Sequence, residues 1–202
     1  MRWLDTPQFS ALLAIEDPWS YRDRLTMPKL MLNAAGDQFF LPDSSQFYFD
    51  ALPGEKYMRY VPNTDHSLDA SNAFETLQAF YTAIVSELPR PQFSWTIERP
   101  DRITVQAATR PLTVVLWQTT NVKARDFRLE TLGPKWTRTL LSPTGPNTWT
   151  ARIVAPPKGW TAGFIELTFA SGGRFPFTFT TEVVVTPDRL PYPPPPGPQG
   201  AP

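Results

Sequence analysis

Pro28-Lys29-Leu30-Met31-Leu32-Asn33-Ala34-Ala35-Gly36-Asp37-Gln38-Phe39-Phe40-Leu41-Pro42 is the stretch on which the reading of the fold turns. Lys29 to Asn33 is a short apolar run, and Ala34-Ala35-Gly36-Asp37 closes it with a glycine-containing turn. That is the pattern of a buried strand followed by a tight turn. In an open parallel sheet, reactive groups gather at the carboxyl ends of the strands. Asp37 stands at such an end. Taken by itself, an Asp after Gly36 is more simply a turn-forming residue.

Working outward, the flanking segments supply helix and strand patterns in alternation. Pro7 to Ile15 is a short apolar helical stretch upstream. Downstream, Asp43-Ser44-Ser45-Gln46 has an acceptor side chain at the cap position and Gln three residues on, which predicts a helix running to about Leu52. Pro53-Gly54 stops it. Lys56 to Val61 is a second strand, ended by Pro62-Asn63. Ser71 to Leu88 is the clearest helix, with Phe74, Leu77, Phe80, Tyr81, Ile84, Val85 and Leu88 on one apolar face. Strand, helix, strand, helix implies parallel strands with crossover helices.

The chain changes character near Pro89-Arg90-Pro91. Beyond it come Ile103–Ala107, Thr113–Trp117, Trp149–Ile153, Phe164–Phe169 and Phe177–Val185, all β-rich and several alternating in polarity. Turns such as Ser171-Gly172-Gly173 separate them. Short strands so spaced read as an immunoglobulin- or fibronectin-like sandwich. The expected organisation is an α/β unit over residues 1–90, a β-sandwich over 91–187, and a Pro-rich tail over 188–202 that is extended polyproline II or disordered.

Composition excludes several functions. Lys plus Arg and Asp plus Glu are both 19, and no basic cluster is present to hold a phosphate backbone, so nucleic acid is not an expected partner. There is no cysteine, which removes disulfides, a thiol nucleophile and thiolate metal sites. No apolar run reaches the roughly 18–20 residues of a membrane span. The first ten residues lack the apolar core of a signal peptide. No cofactor is expected.

His66, the single histidine, follows the second strand in Pro62-Asn63-Thr64-Asp65-His66-Ser67. A neutral imidazole there suits a general base. Isolated, it reads as an ordinary loop histidine. Asp37 and His66 in this order, each after a strand, form a more specific pattern: the carboxylate can orient the ring and stabilise its protonated form. A metal site built from His66 with Asp37, Asp65 and Asp69 is a weaker reading, because no ligand pair has helical spacing. Trp95, Trp117, Trp136, Trp149 and Trp160 lie beyond residue 90. An exposed row of them would stack on sugars; Trp117 and Trp149 read as core, with Trp136 and Trp160 open.

Pro28 to Pro42 resembles the penultimate strand and acid turn of α/β-hydrolases, whose triad runs nucleophile, acid, histidine along the chain. More narrowly, Asp17-Pro18-Trp19-Ser20-Tyr21-Arg22, Gly36-Asp37-Gln38-Phe39-Phe40-Leu41-Pro42-Asp43-Ser44, Leu52-Pro53-Gly54-Glu55-Lys56-Tyr57, Asp65-His66-Ser67-Leu68 and Phe177-Thr178-Phe179-Thr180-Thr181-Glu182 resemble the PhoPQ-activated pathogenicity-related proteins. The resemblance implies the C-terminal part of an α/β-hydrolase-like, doubly wound sheet followed by a β-domain. It also implies an often exported protein linked to bacterial virulence. The chain departs from that pattern in lacking G-x-S-x-G. Ser44, Ser45, Ser67 and Ser71 read as caps or turn residues. The expectation is therefore a fragment of a serine-hydrolase-like protein that carries Asp37 and His66 without a nucleophile and is inactive alone. Its missing upstream part would be a partner, and residues 1–88 would pack loosely without it. The alternative is a non-catalytic module whose β-domain binds a protein or glycan.

Overall fold

The computed structural model describes residues 6–192, so the tail from residue 193 lies outside the described residues. The chain opens with α1 (Pro7–Glu16), started by Pro7 and by the Thr6 hydroxyl, which accepts the N–H of Phe9 at 3.2 Å. The two expected strands form as β1 (Lys29–Ala34) and β2 (Lys56–Val61), paired in parallel from Lys29↔Lys56 to Ala34↔Val61. After β2 comes α2 (Ala73–Val85).

The remaining strands are β3 (Phe93–Glu98), β4 (Arg102–Ala107), β5 (Thr113–Asn121), β6 (Thr137–Leu140) and β7 (Thr148–Arg152). They continue with β8 (Trp160–Phe169), β9 (Phe177–Thr180) and β10 (Val184–Thr186). One short helix, α3 (Leu129–Leu132), lies between β5 and β6. All pairings among β3–β10 are antiparallel. One sheet has the order β3-β4-β7; the other runs β10-β8-β5-β6, with β9 also on β8. β8 is long enough to pair with β10 through Thr161–Gly163 and with β9 through Glu166–Phe169 along one side. Ile103, Val105, Trp149 and Ala151 of the first sheet face Val114, Leu116, Ile165 and Leu167 of the second. The result is a sandwich-like core.

This corrects the expected α/β class. The parallel part is a two-stranded ribbon, not a doubly wound sheet, and the fold is β-rich with antiparallel sheets. Parallel strands need crossover helices that cover both faces of the sheet. Between β1 and β2 the predicted helix is reduced to a single 3-10 turn, Ser44–Phe47. Asp43 does not cap it: its carboxylate pairs instead with the buried guanidinium of Arg125.

The second correction concerns which side of α2 is inside. Ala73, Thr76, Ala79, Phe80 and Ala83 are buried, whereas Phe74, Leu77, Tyr81, Ile84 and Val85, with Leu88 just beyond the helix, are exposed. At 100° per residue these two sets lie on roughly opposite sides of the helix. The small-residue side lets the helix approach β9 closely. The large-residue stripe, which periodicity marks as core, points outward.

Both apolar clusters cross residue 90. Tyr57 and Phe80 join Ile165, Leu167 and Phe179 in one. Ala35, Phe49, Met58 and Tyr60 join Phe127, Trp136, Phe164 and Val185 in the other. Tyr57 stacks on Phe179 at 4.3 Å and meets Phe80 edge-on at 5.7 Å. Deeper still, Arg59 of β2 pairs with Glu166 of β8 at 2.5 Å. β2 is thus firmly attached, buried along nearly its whole length against the antiparallel body, whereas α1 and the 3-10 segment Pro18–Arg24 have no buried residue.

Candidate functional site

β1 ends at Ala34, and the next residues turn sharply. Gly36 gives its N–H to the carbonyl of Thr64 at 3.1 Å, tying the turn after β1 to the turn after β2. A β-carbon on Gly36 would sit 2.8 Å from that carbonyl and 3.0 Å from the backbone nitrogen of Leu129, so only glycine fits. Asn63 starts the second turn with φ of 57°, a left-handed conformation that Asn tolerates better than most residues.

This arrangement brings Asp37 and His66 together. Nδ1 of His66 lies 2.8 Å from Oδ2 of Asp37. The other carboxylate oxygen, Oδ1, accepts the N–H groups of Phe39 at 2.7 Å and Phe40 at 3.1 Å. Burial by itself pushes the Asp37 carboxyl upward. The hydrogen bonds from His66, Phe39 and Phe40 outweigh it and hold the group below its ordinary value. Asp37 is therefore an ionised acceptor near neutral pH. It fixes His66 with Nδ1 as the donor and Nε2 as the outward acceptor. Nε2 has no hydrogen-bond partner among the described residues, and the His66 side chain is 48% exposed against 7% for Asp37.

Three neighbours that sequence reasoning missed complete the ring's setting. Gln38 accepts the backbone N–H of His66 at 3.2 Å. The rings of Phe39 and Phe40 stand 5.0 Å and 5.8 Å from the imidazole and flank it. The available signal was their position directly after Asp37. Asp65 turns away to Ser67, whose hydroxyl donates to it at 2.7 Å, and so does not join His66 in a ligand set.

No serine takes the nucleophile's place among the described residues. Ser45 is buried, Ser44 is half-buried, Ser67 is held by Asp65, and Ser71 donates to the carbonyl of Leu68 at 2.6 Å. None bonds to His66. The tryptophan-row reading also finds no support. Trp136, Trp149 and Trp160 are buried, and Trp95 and Trp117 are half-buried. The site can accept and return a proton at Nε2 and stabilise the charge that results.

The sequence profile of a family described as PhoPQ-activated pathogenicity-related protein matches residues 1–128, a span that includes both Asp37 and His66. The chain is also 32% identical over 219 residues to autocrine proliferation repressor protein A of Dictyostelium discoideum, aligned over 95% of this chain and 44% of that protein. The chain thus spans under half the length of this curated relative. Among solved structures, a family 56 carbohydrate-binding module described as a β-1,3-glucan binding domain is similar over 48% of this chain and 98% of its own. The identity is 8% and the TM-score 0.27, a likeness too slight to carry an argument.

Proposed function

The chain belongs to the PhoPQ-activated pathogenicity-related protein family, and from that premise we propose that Asp37 and His66 are the acid–base half of a hydrolytic site for an ester or amide. The observation that supports this is the 2.8 Å contact between Nδ1 and a buried, doubly amide-bonded carboxylate, with Nε2 left open to solvent between two phenyl rings.

The chemistry follows from that geometry. Nε2 takes the proton from a hydroxyl as the hydroxyl oxygen bonds to the carbonyl carbon. The imidazolium then gives the same proton to the departing alcohol or amine. Asp37 keeps its charge throughout, holding Nδ1–H and stabilising the imidazolium. A second round with water, again deprotonated at Nε2, frees the acid product. The hydroxyl nucleophile and the groups that stabilise the oxyanion come from outside these 202 residues, so the chain alone binds no proton-transfer partner and turns over nothing.

The test uses both the chain and a family-length protein that contains it. The chain should neither hydrolyse p-nitrophenyl esters nor take up a fluorophosphonate. In the family-length protein, His66→Ala should abolish turnover and Asp37→Asn should reduce it by about 10⁴, the cost of presenting the wrong tautomer. Unchanged turnover in both variants would overturn the proposal. Fluorophosphonate labelling of Ser44 or Ser45 in the chain would place the nucleophile where we have excluded it.

A further inference from the structure

A second built feature lies away from Asp37 and His66. A groove of about 560 Å³ runs beside β3 and is lined by five consecutive residues, Phe93 to Ile97. β3 is the outer strand of its sheet, so among the described residues one edge has no strand partner. The register shows which groups that edge offers. Ala107 gives its N–H to Asn147, on the β7 side of β4. Hydrogen bonding alternates along an antiparallel strand, so Ala107, Val105 and Ile103 all bond toward β7. Their neighbours across the ladder, Phe93, Trp95 and Ile97, therefore turn their backbone N–H and C=O groups outward into the groove. An unpaired edge of this kind is a template for another strand.

The opposite wall carries a buried carboxylate that forms no ion pair among the described residues, although Arg99 and Lys56 lie near enough to favour its charged form against burial. Glu182 is 7% exposed, yet a single hydrogen bond holds its carboxylate, from Nε1 of Trp95 at 3.3 Å. Its other oxygen has no hydrogen bond among the described residues. Asp50 adds a second carboxylate to the lining. The cations at the rim are already engaged. Lys56 donates to the carbonyls of Phe49, Asp50 and Leu52 at 2.8–3.0 Å. Arg99 bonds to Gln46 at 2.7 Å and pairs with Asp188 at 3.4 Å. A buried carboxylate without a matched cation is costly and favours a ligand that supplies one.

A sugar is a poor fit to this wall. Stacking on a sugar needs a free ring face, and Trp95 is already stacked on Phe49 at 5.2 Å and on Phe93 at 5.9 Å. We propose that the groove receives an extended peptide segment that adds as a strand to β3 and places a lysine or arginine side chain on Glu182 and Asp50. Main-chain hydrogen bonds to Phe93, Trp95 and Ile97 provide affinity independent of sequence. The buried acid provides selection at one position. Nothing in this inference depends on the acid–base pair.

A positional library of acetylated, amidated heptapeptides tests it against the full chain. Binding is read from tryptophan fluorescence and from the indole N–H resonance of Trp95. Lys or Arg should be selected at one position. The best such peptide should lose at least about tenfold in affinity when that residue becomes norleucine, and a similar factor against Glu182→Gln. Methylating alternate backbone nitrogens of the peptide should abolish binding. Because Glu182 is buried, the variant is first checked for an unchanged near-ultraviolet circular dichroism spectrum, and the norleucine peptide tests the same contact without altering the protein. Absence of any Lys or Arg preference overturns the proposal. So does equal binding of lysine amide alone, which would make this an amine pocket. Binding of β-glucan oligosaccharides in place of peptides would overturn it as well.

Discussion

Replacing the buried Glu166 with leucine should destabilise the protein strongly. Arg59 is buried to 2% and Glu166 to 11% side-chain exposure, at 2.5 Å. Burial pushes the Arg59 guanidinium down, and Glu166 is the main influence raising it again. Without Glu166 the guanidinium keeps one hydrogen-bond partner, Asn72, at 2.7 Å, with Glu75 acting only at a distance, and its Nε already lacks a partner. Removing one member of a buried pair costs about 3–5 kcal/mol. That is a large share of the roughly 5–15 kcal/mol that holds a typical domain together. Removing both, as Arg59→Met with Glu166→Leu, should restore stability to within about 1 kcal/mol of the parent or above it, because desolvation of both charges vanishes with them. Urea unfolding measures this, followed in parallel by tryptophan fluorescence and far-ultraviolet circular dichroism. The pair joins β2 to β8, and both apolar clusters cross the boundary at residue 90, so the two signals should coincide in a single transition. A cost below about 1 kcal/mol for Glu166→Leu, or a double variant as unstable as the sum of the singles, would refute the reasoning. An early transition confined to residues before 90 would show that the two halves melt as separate units.

Further outcomes follow from other contacts. Asp37→Ala should cost about 1–3 kcal/mol near neutral pH, the usual effect of removing a charge-assisted acceptor. Because the folded carboxyl is held low, that contribution is complete above its unfolded value near pH 3.9 and fades as pH falls through the lower folded one. Denaturant midpoints from pH 7 to pH 3 should therefore show the parent and variant converging only at the acid end; a constant gap would contradict the assignment. The outer stripe of α2 should drive self-association, so light scattering should report a concentration-dependent mass that Leu77→Glu with Val85→Lys reduces to that of a monomer. A parent that is already monomeric at high concentration would remove that argument. Gly36→Ala should cost about 1–3 kcal/mol through overpacking against Thr64 and Leu129 and should broaden the His66 ring resonances.

Legibility of the fold varied with how directly burial writes itself into sequence. β1 and β2 could be read because each is a short apolar run opened by a lysine and closed by a turn signal. β6 could not be read, since all four of its residues are exposed and carry no period. β3 does carry a legible alternation, Phe93, Trp95 and Ile97 against Ser94, Thr96 and Glu98, although it is absent from the expected strands. α2 misled in a specific way. Periodicity finds the larger apolar face, but helix-on-sheet packing here uses Ala73, Ala79 and Ala83, whose contribution to a hydropathy pattern is small. Asp43 read as a cap because its true partner, Arg125, lies 82 residues away. The contact between Asp37 and His66 was legible because both follow parallel strands; what holds their turns was not, because it comes from the other half of the chain.

That buttress explains why an antiparallel body accompanies the pair at all. The segment between β5 and β6 touches both turns. Arg125 holds Asp43, downstream of the acid turn. Leu129 gives its N–H to the carbonyl of Gly36 at 2.9 Å, one residue before Asp37. Trp136 exchanges two hydrogen bonds with Asn63, at 2.9 Å and 3.0 Å, three residues before His66. A two-stranded parallel ribbon is too small to fix two loops rigidly by itself. The ribbon positions Asp37 and His66 only approximately, and the sandwich-like body supplies the remaining constraint through Arg125, Leu129 and Trp136. By this reasoning residues 91–187 act on the pair as its rigid backing, and loosening Trp136 should disturb His66 though the two side chains never meet.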